Sequence, residues 1–397
     1  MSRSFPAFAM VLVAGTTLAQ EPNLGELIEQ IRRQEARIAE LERRLNQTDN
    51  ELEATVDYVE TLSTEPEPQR RTTIGGYGEL HYNNLDADDP ANDVDQIDFH
   101  RFVLNVDHRF SDRIQFHSEI EIEHSLAGDG APGEVELEQA FVNIQLKDSL
   151  TAKAGLFLLP VGILNETHEP PTFYGVERND VENVIVPTTW WEAGGGFSGI
   201  LDNGIGWDVA MHSGLAMPTT GGSAFRVRSG RQKVAKAFGD NWAYTARVRY
   251  AGITGLELGA SYQYQSDPSQ VPGDGLDSGE LFSANLIFQQ GDFRLKALYG
   301  TWHFDGVDVE AAGADEQDGW YVEPSYQLNP RWGVFARYED VDGARAVDQF
   351  SQLEAGFNYW PDPDVVLKFD YRQRDLDLPS LTGRDFDGFD LGLGYRF

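Results

Sequence analysis

The chain has 397 residues, enough for one large β-barrel or two ordinary domains. It lacks cysteine, which excludes a disulfide framework, a thiol nucleophile and a thiolate metal site. A formal charge of −34 argues against nucleic acid, whose phosphates would be repelled at long range.

The first elements are helical or apolar. Arg3, the apolar stretch from Phe5 to Leu18 and the small-residue site at Thr17-Leu18-Ala19 predict a signal peptide over 1–19, so the mature chain is expected outside the cytoplasm. From Leu24 the period becomes seven. Leu24, Ile31, Ile38, Leu45 and Leu52 form one seam, with Leu27 and Leu41 in the second, where Gln34, Thr48 and Thr55 interrupt. Residues 20–62 are therefore expected to form a periplasmic coiled coil, the alternative being a single surface helix. Glu65-Pro66-Glu67-Pro68 predicts a stiff acidic linker over 63–71. Beyond the amino terminus no apolar run approaches the ~20 residues of a spanning helix, so a membrane location would require a closed barrel.

From residue 72 to 397 the period is two. Sixteen segments are predicted: 72–84, 97–110, 112–124, 134–147, 150–159, 189–199, 204–216, 242–251, 255–266, 279–290, 293–304, 318–328, 331–341, 349–360, 364–374 and 386–397. Their connections alternate between short and long, the longest near 160–188 and 217–241. Short turns at one rim and long loops at the other describe a transmembrane β-barrel, and an even strand count puts both termini at the short-turn rim. Facing follows from the alternation. Trp242, Tyr244, Ala246, Val248 and Tyr250 face lipid while Arg247 and Arg249 face inward; Ile114, Phe116, Ile120 and Ile122 oppose Arg113, Glu119, Glu121 and Glu123. Arg or Lys on the lipid side near mid-bilayer would cost roughly 2–4 kcal/mol. A charged interior is expected to hold water rather than a packed core.

The last strand runs Phe389-Asp390-Leu391-Gly392-Leu393-Gly394-Tyr395-Arg396-Phe397 and ends on an aromatic residue, which resembles the signature of outer-membrane barrel proteins. With Gly75-Gly76-Tyr77-Gly78-Glu79, Phe99-His100-Arg101-Phe102 and the string from Asn165 to Asn179, the chain resembles the porins grouped with the phosphate-selective porins O and P. The resemblance covers nearly the whole mature chain. It implies a trimeric channel in the bacterial outer membrane, among its lipid and lipopolysaccharide, that passes ions and small solutes through a pore narrowed by the third long loop. Phosphate-specific relatives line that loop with bases, whereas here Arg178 stands alone against Glu166, Glu169, Glu177, Asp180 and Glu182.

For the pore the candidates are Arg101, Arg113, Lys153, Arg247, Arg249, Arg294, Arg337, Lys368 and Arg372 on the strands, facing Glu119 and Glu121. Glu166, His168, Glu169 and Arg178 join them from the loop, which either folds inward as a width filter or caps the outside. Opposed charges across a waist orient polar solutes; the bases can also merely pair with neighbouring carboxylates. Arg226, Arg228, Arg231, Lys233 and Lys236 lie in a loop with no acid between Thr219 and Phe238, as an anion-collecting patch, a lipopolysaccharide site or a solvated loop. Acidic loops such as Asp86 to Asp95 lack calcium-loop spacing, and no histidine spacing suggests a metal. No cofactor is expected. In His117-Ser118, His124-Ser125 and His212-Ser213 adjacent residues point to opposite strand faces, so no base–nucleophile pair forms and no enzyme is expected. The alternative function is a structural barrel that tethers the outer membrane through its coiled coil.

Overall fold

Alternating side chains give strands wherever the period-two reading placed them. A computed structural model describes residues 25, 28–29, 31–47 and 71–397. The expected signal peptide, the linker up to residue 70 and the seam positions Leu24, Leu27, Thr48, Leu52 and Thr55 lie outside the described residues. Residues 31–47 are helical and exposed throughout. Ile31, Ile38 and Leu45 form an apolar ridge with Leu41 beside it, and Arg33–Glu29 and Arg43–Glu40 ion pairs at 2.8 and 3.0 Å span single turns.

The unit from Arg71 to Phe397 is the barrel. Its strands are β1 Thr72–Ala87, β2 Val94–Ser111, β3 Ile114–Glu123, β4 Val135–Lys147, β5 Leu150–Leu158, β6 Trp191–Ile200, β7 Ile205–His212 and β8 Ala243–Ile253. They continue as β9 Leu256–Ser266, β10 Ser278–Gln290, β11 Phe293–Asp305, β12 Glu316–Asn329, β13 Trp332–Asp342, β14 Gln349–Asp362, β15 Val365–Leu376 and β16 Phe386–Arg396. Each pairs antiparallel with its chain neighbours, and β1 pairs with β16 to close the sheet. β7 ends four residues before the expected 216. Gly214 turns with φ +72° and Leu215 bridges Arg231, which takes the chain out of the wall.

The seam is finished by the carboxy terminus. The Phe397 amide donates to the Gly76 carbonyl at 2.8 Å, and the Gly76 amide returns a bond of 3.0 Å. The Phe397 ring stacks on Phe102 at 6.2 Å. Outward positions such as Tyr244, Val248, Tyr262, Phe282 and Tyr299 are exposed, while the alternate Thr245, Gln263 and Ser283 are buried. That is the pattern of a wall with lipid on one side.

The interior departs from expectation. Part of it is a packed apolar core rather than water. Leu159, Val161, Ile163, Val181, Val184, Ile185, Val186 and Trp190, all from the connection between β5 and β6, pack against inward-facing Leu298, Trp302, Tyr321, Val341 and Phe350. The wall makes room for them. Gly300 on β11 and Gly319 on β12 are register partners, and a Cβ at each would lie 2.9 Å from Val186 and 3.1 Å from Ile185. Charged and apolar inward positions thus segregate to different sides of one lumen.

At Gly76 a Cβ would lie 2.2 Å from the Val103 carbonyl oxygen, so no side chain fits where the seam closes. Gly76→Val is expected to cost roughly 1–3 kcal/mol, seen as a lower urea midpoint by tryptophan fluorescence. Gly239→Ala, where nothing lies within 4 Å, should leave the midpoint unchanged.

Candidate pore constriction

The connection 159–190 enters the lumen from the end of β5 and is gathered at its neck by one side chain. Asn165 Nδ2 donates to the carbonyls of Leu159 and Trp190 at 2.8 and 3.1 Å, and its Oδ1 accepts from the Trp190 amide at 2.7 Å. Inside, the carboxylate of Glu182 is fully buried. It accepts from the amides of Ile163 and Leu164 at 2.5 and 2.7 Å, from Asn179 Nδ2 at 3.1 Å and from the Tyr321 hydroxyl at 2.9 Å. The Trp302 indole donates to the Ile185 carbonyl at 2.8 Å. Glu182 was expected as a loop acid opposing Arg178; its four donors make it the loop's internal anchor instead.

From this anchor the loop crosses the lumen and is braced by the wall. On one side Glu166 pairs with Arg247, which also holds Asp208 at 2.8 Å. On the other, Lys368 donates to the Gly175 carbonyl at 2.8 Å, with its ammonium 3.6 Å from the Phe173 ring centroid. The Val176 amide donates to Asp370 at 2.7 Å and the Asp180 amide to Glu339 at 2.7 Å, while Arg374 pairs with Asp180. Tyr174 reaches toward the short-turn rim, where its ring meets Trp360 at 5.7 Å.

The candidate bases therefore fall into different settings. Arg101, Arg247, Arg337, Lys368 and Arg372 are buried. Arg101 pairs with Glu79 at 2.6 Å, Arg337 with Glu323 at 3.2 Å and with Glu354, and Arg372 with Asp390 at 2.5 Å. Arg113 is exposed beside a short turn, Arg249 is 45% exposed, and Arg294 lines a cavity of about 250 Å³ near that rim. Lys153 lies over the Phe141 and Phe157 rings at 5.0 and 5.4 Å. Glu119, Glu121 and His168 are buried together, and Glu169 is half-buried.

The second long loop lies on the first. Arg228 donates to the Thr188 carbonyl at 2.8 Å and Arg231 to that of Thr189. Lys233 pairs with Glu134 at 2.8 Å and with Glu136, Arg226 lies 3.5 Å from Asp348, and Lys236 is exposed. Burial, then Arg231, Arg178 and Arg226, push the Arg228 guanidinium down from its ordinary range.

A cavity of about 390 Å³ lies where the two loops meet the wall, lined by Arg101, Arg178, Arg228, Arg372 and Arg374 with Glu79, Glu177 and Asp180. Burial would raise the Glu177 carboxyl, but His81, then His100 and Arg372, hold it well below the usual carboxylate range. Nε and Nη2 of Arg178 are buried without a hydrogen-bond partner among the described residues. Two of the cavity's guanidiniums, those of Arg178 and Arg228, thus have no carboxylate in contact among the described residues.

The Gram-negative porin family model matches residues 186–377. An uncharacterised protein of Aquifex aeolicus (strain VF5) is 31% identical over 338 residues, covering 77% of this chain and 76% of that protein. The chain belongs to one family with it. An anion-selective porin from Comamonas acidovorans aligns at 12% identity over 82% of this chain and 99% of its own, with a TM-score of 0.57. OmpF of Salmonella typhi, in complex with daunomycin, aligns at 13% identity over 82% and 97%, with a TM-score of 0.57. The outer membrane channel DcaP of Acinetobacter baumannii gives 14% identity over 82% and 97%, with a TM-score of 0.52. These structures share the fold. The barrel is an outer-membrane porin barrel.

Because Glu182 satisfies four donors, Glu182→Ala strands them beside an apolar core, at roughly 1–3 kcal/mol for each donor that water cannot reach. The expected outcome in planar bilayers is a noisier porin of higher mean conductance, with proteolysis now cutting between 159 and 190. Conductance and cleavage pattern identical to the parent would show that the loop does not depend on this anchor.

Proposed function

We propose that this porin passes ions and small hydrophilic solutes by passive diffusion past loop 159–190, with a preference for anions such as phosphate. A kinship with the phosphate-selective porins O and P would account for that preference. The observation that carries it is the buried Arg178 guanidinium, whose Nε and Nη2 have no partner among the described residues and which lines the same cavity as Arg228. Charged donors in a low-dielectric recess recover their desolvation cost only when an anion arrives. The mature chain would act as a trimer; a trimer form is described for OmpT of Vibrio cholerae, which shares this fold. Residues 1–19 would be removed on export, and the exposed ridge of Ile31, Ile38 and Leu45 would assemble the periplasmic stalk. Exposed Lys236 would meet lipopolysaccharide phosphates.

The same ridge favours a second reading, a barrel whose stalk tethers the outer membrane. Comparing the conductance of the full mature chain with a form lacking 20–68 separates the two, since a tether need not conduct.

Selectivity is tested by the zero-current potential under a salt gradient. The parent is expected to be anion-selective and blocked by phosphate. Arg178→Ser and Arg228→Ser should each shift the potential toward cations and weaken the phosphate block about 10-fold or more. A cation-selective potential unmoved by phosphate would leave a general diffusion pore.

A further inference from the structure

Three residues from three elements bring a histidine and two carboxylates together inside the wall. Glu119 lies on β3, Glu138 on β4 and His168 on the inserted loop, and one ligand atom from each lies within 4.8 Å of the others. All three are buried, Glu138 completely. His168 Nε2 is 3.4 Å from Glu119 Oε1 and 4.0 Å from Glu138 Oε2. Two donors on one tetrahedral Zn²⁺, each at ~2.0–2.2 Å, stand roughly 3.4 Å apart. The observed spacing is close to that.

The remaining bonds orient these atoms toward one another. His168 Nδ1 lies 3.1 Å from the Asn165 carbonyl, which can only accept, so Nδ1 carries a proton and Nε2 is the ring atom left to bind a cation beside the two carboxylates. Glu119 accepts from Tyr77 at 2.8 Å and from Gln139 at 2.6 Å, and Glu138 Oε1 accepts from Thr189 at 2.5 Å. Glu138 Oε2 has no hydrogen-bond partner among the described residues. It is a buried oxygen without a donor, 4.0 Å from His168 Nε2 and grouped with Glu119.

Charge points the same way. Glu121 and Glu136 lie beside Glu138, within 4.8 Å by their carboxylate oxygens. The bases that reach this row contact its other members: Arg101 lies 2.6 Å from Glu79 and 3.7 Å from Glu121, and Lys233 pairs with Glu134 and Glu136. Glu119 and Glu138 face an imidazole. Buried carboxylates in such numbers are held by a cation or by shared protons.

We propose that Glu119, Glu138 and His168 bind a divalent transition metal that pins the constriction loop to the β3–β4 wall. One imidazole and two carboxylates form a donor set suited to Zn²⁺, with a fourth position left for water. A protonated His168 imidazole is the competing cation, and it makes a different prediction.

The test uses the full mature porin, loaded with Zn²⁺, dialysed against metal-free buffer and assayed for metal per chain, with Co²⁺ absorption reporting the geometry. The expected result is one retained metal per chain in the parent. Glu138→Gln and His168→Gln should each lower Zn²⁺ affinity at least about 10-fold. Glu134→Gln, in the same acidic row but outside the set, should bind as the parent does. Parent protein that retains no metal overturns the proposal and leaves the proton as the cation; this outcome needs no variant to fold. Unchanged affinity in His168→Gln, or an equal loss in Glu134→Gln, overturns it as well.

Discussion

Four donors converge on the carboxylate of Glu182: two backbone amides, an Asn179 side-chain amide and the Tyr321 hydroxyl. That convergence decides how the lumen is filled, because sixteen strands enclose more space than wall side chains can span. A connection of this length would carry unsatisfiable polar groups into an apolar interior unless something inside it supplied acceptors. Glu182 and Asn165 supply them, one at the heart of the loop and one at its neck. With its own backbone satisfied, the loop can turn Val181, Val184, Ile185 and Val186 toward Trp302 and the notch at Gly300 and Gly319.

The bases of the interior then divide according to where the loop runs. Lys368 and Arg337 lie beneath it and are held by its carbonyls or by carboxylates of adjacent strands, which is the usual condition for burying a charge. Arg178 and Arg228 lie where loop and wall part, lining a cavity with several acids but in contact with no carboxylate among the described residues. The same residue type braces the wall in one place and sets the field in another. The difference comes from the path of the backbone, not from the side chain.

Most of the wall was legible in the sequence. Period two, a lipid-face cost for every misplaced charge and turn residues at alternate junctions leave little freedom in strand number or facing, and Tyr244 against Arg247 shows it at a single strand. What the loop does was not legible. Ile185 and Val186 have no period to reveal a partner, and Gly300 and Gly319 read as ordinary strand glycines until their register is known. Glu182 looked like one more acid among five. The grouping of Glu119, Glu138 and His168 was equally hidden, since ligands on three elements leave no spacing motif. Only the position of Glu138 on the inward face, opposite the acidic row of β3, carried a hint.

The contacts that seat the loop are distant along the chain. Asn83 and Glu177 are 94 residues apart, and Val176 and Asp370 are 194 apart. Contacts of this kind form late and slowly, since loop-closure entropy must be overcome before they contribute. The loop also lies within a sheet whose last bonds join Gly76 to Phe397. Seating and closure therefore both wait on pairings that close long stretches of chain. A chain with its seam zipped and residues 159–190 still outside would be a complete cylinder without its apolar core.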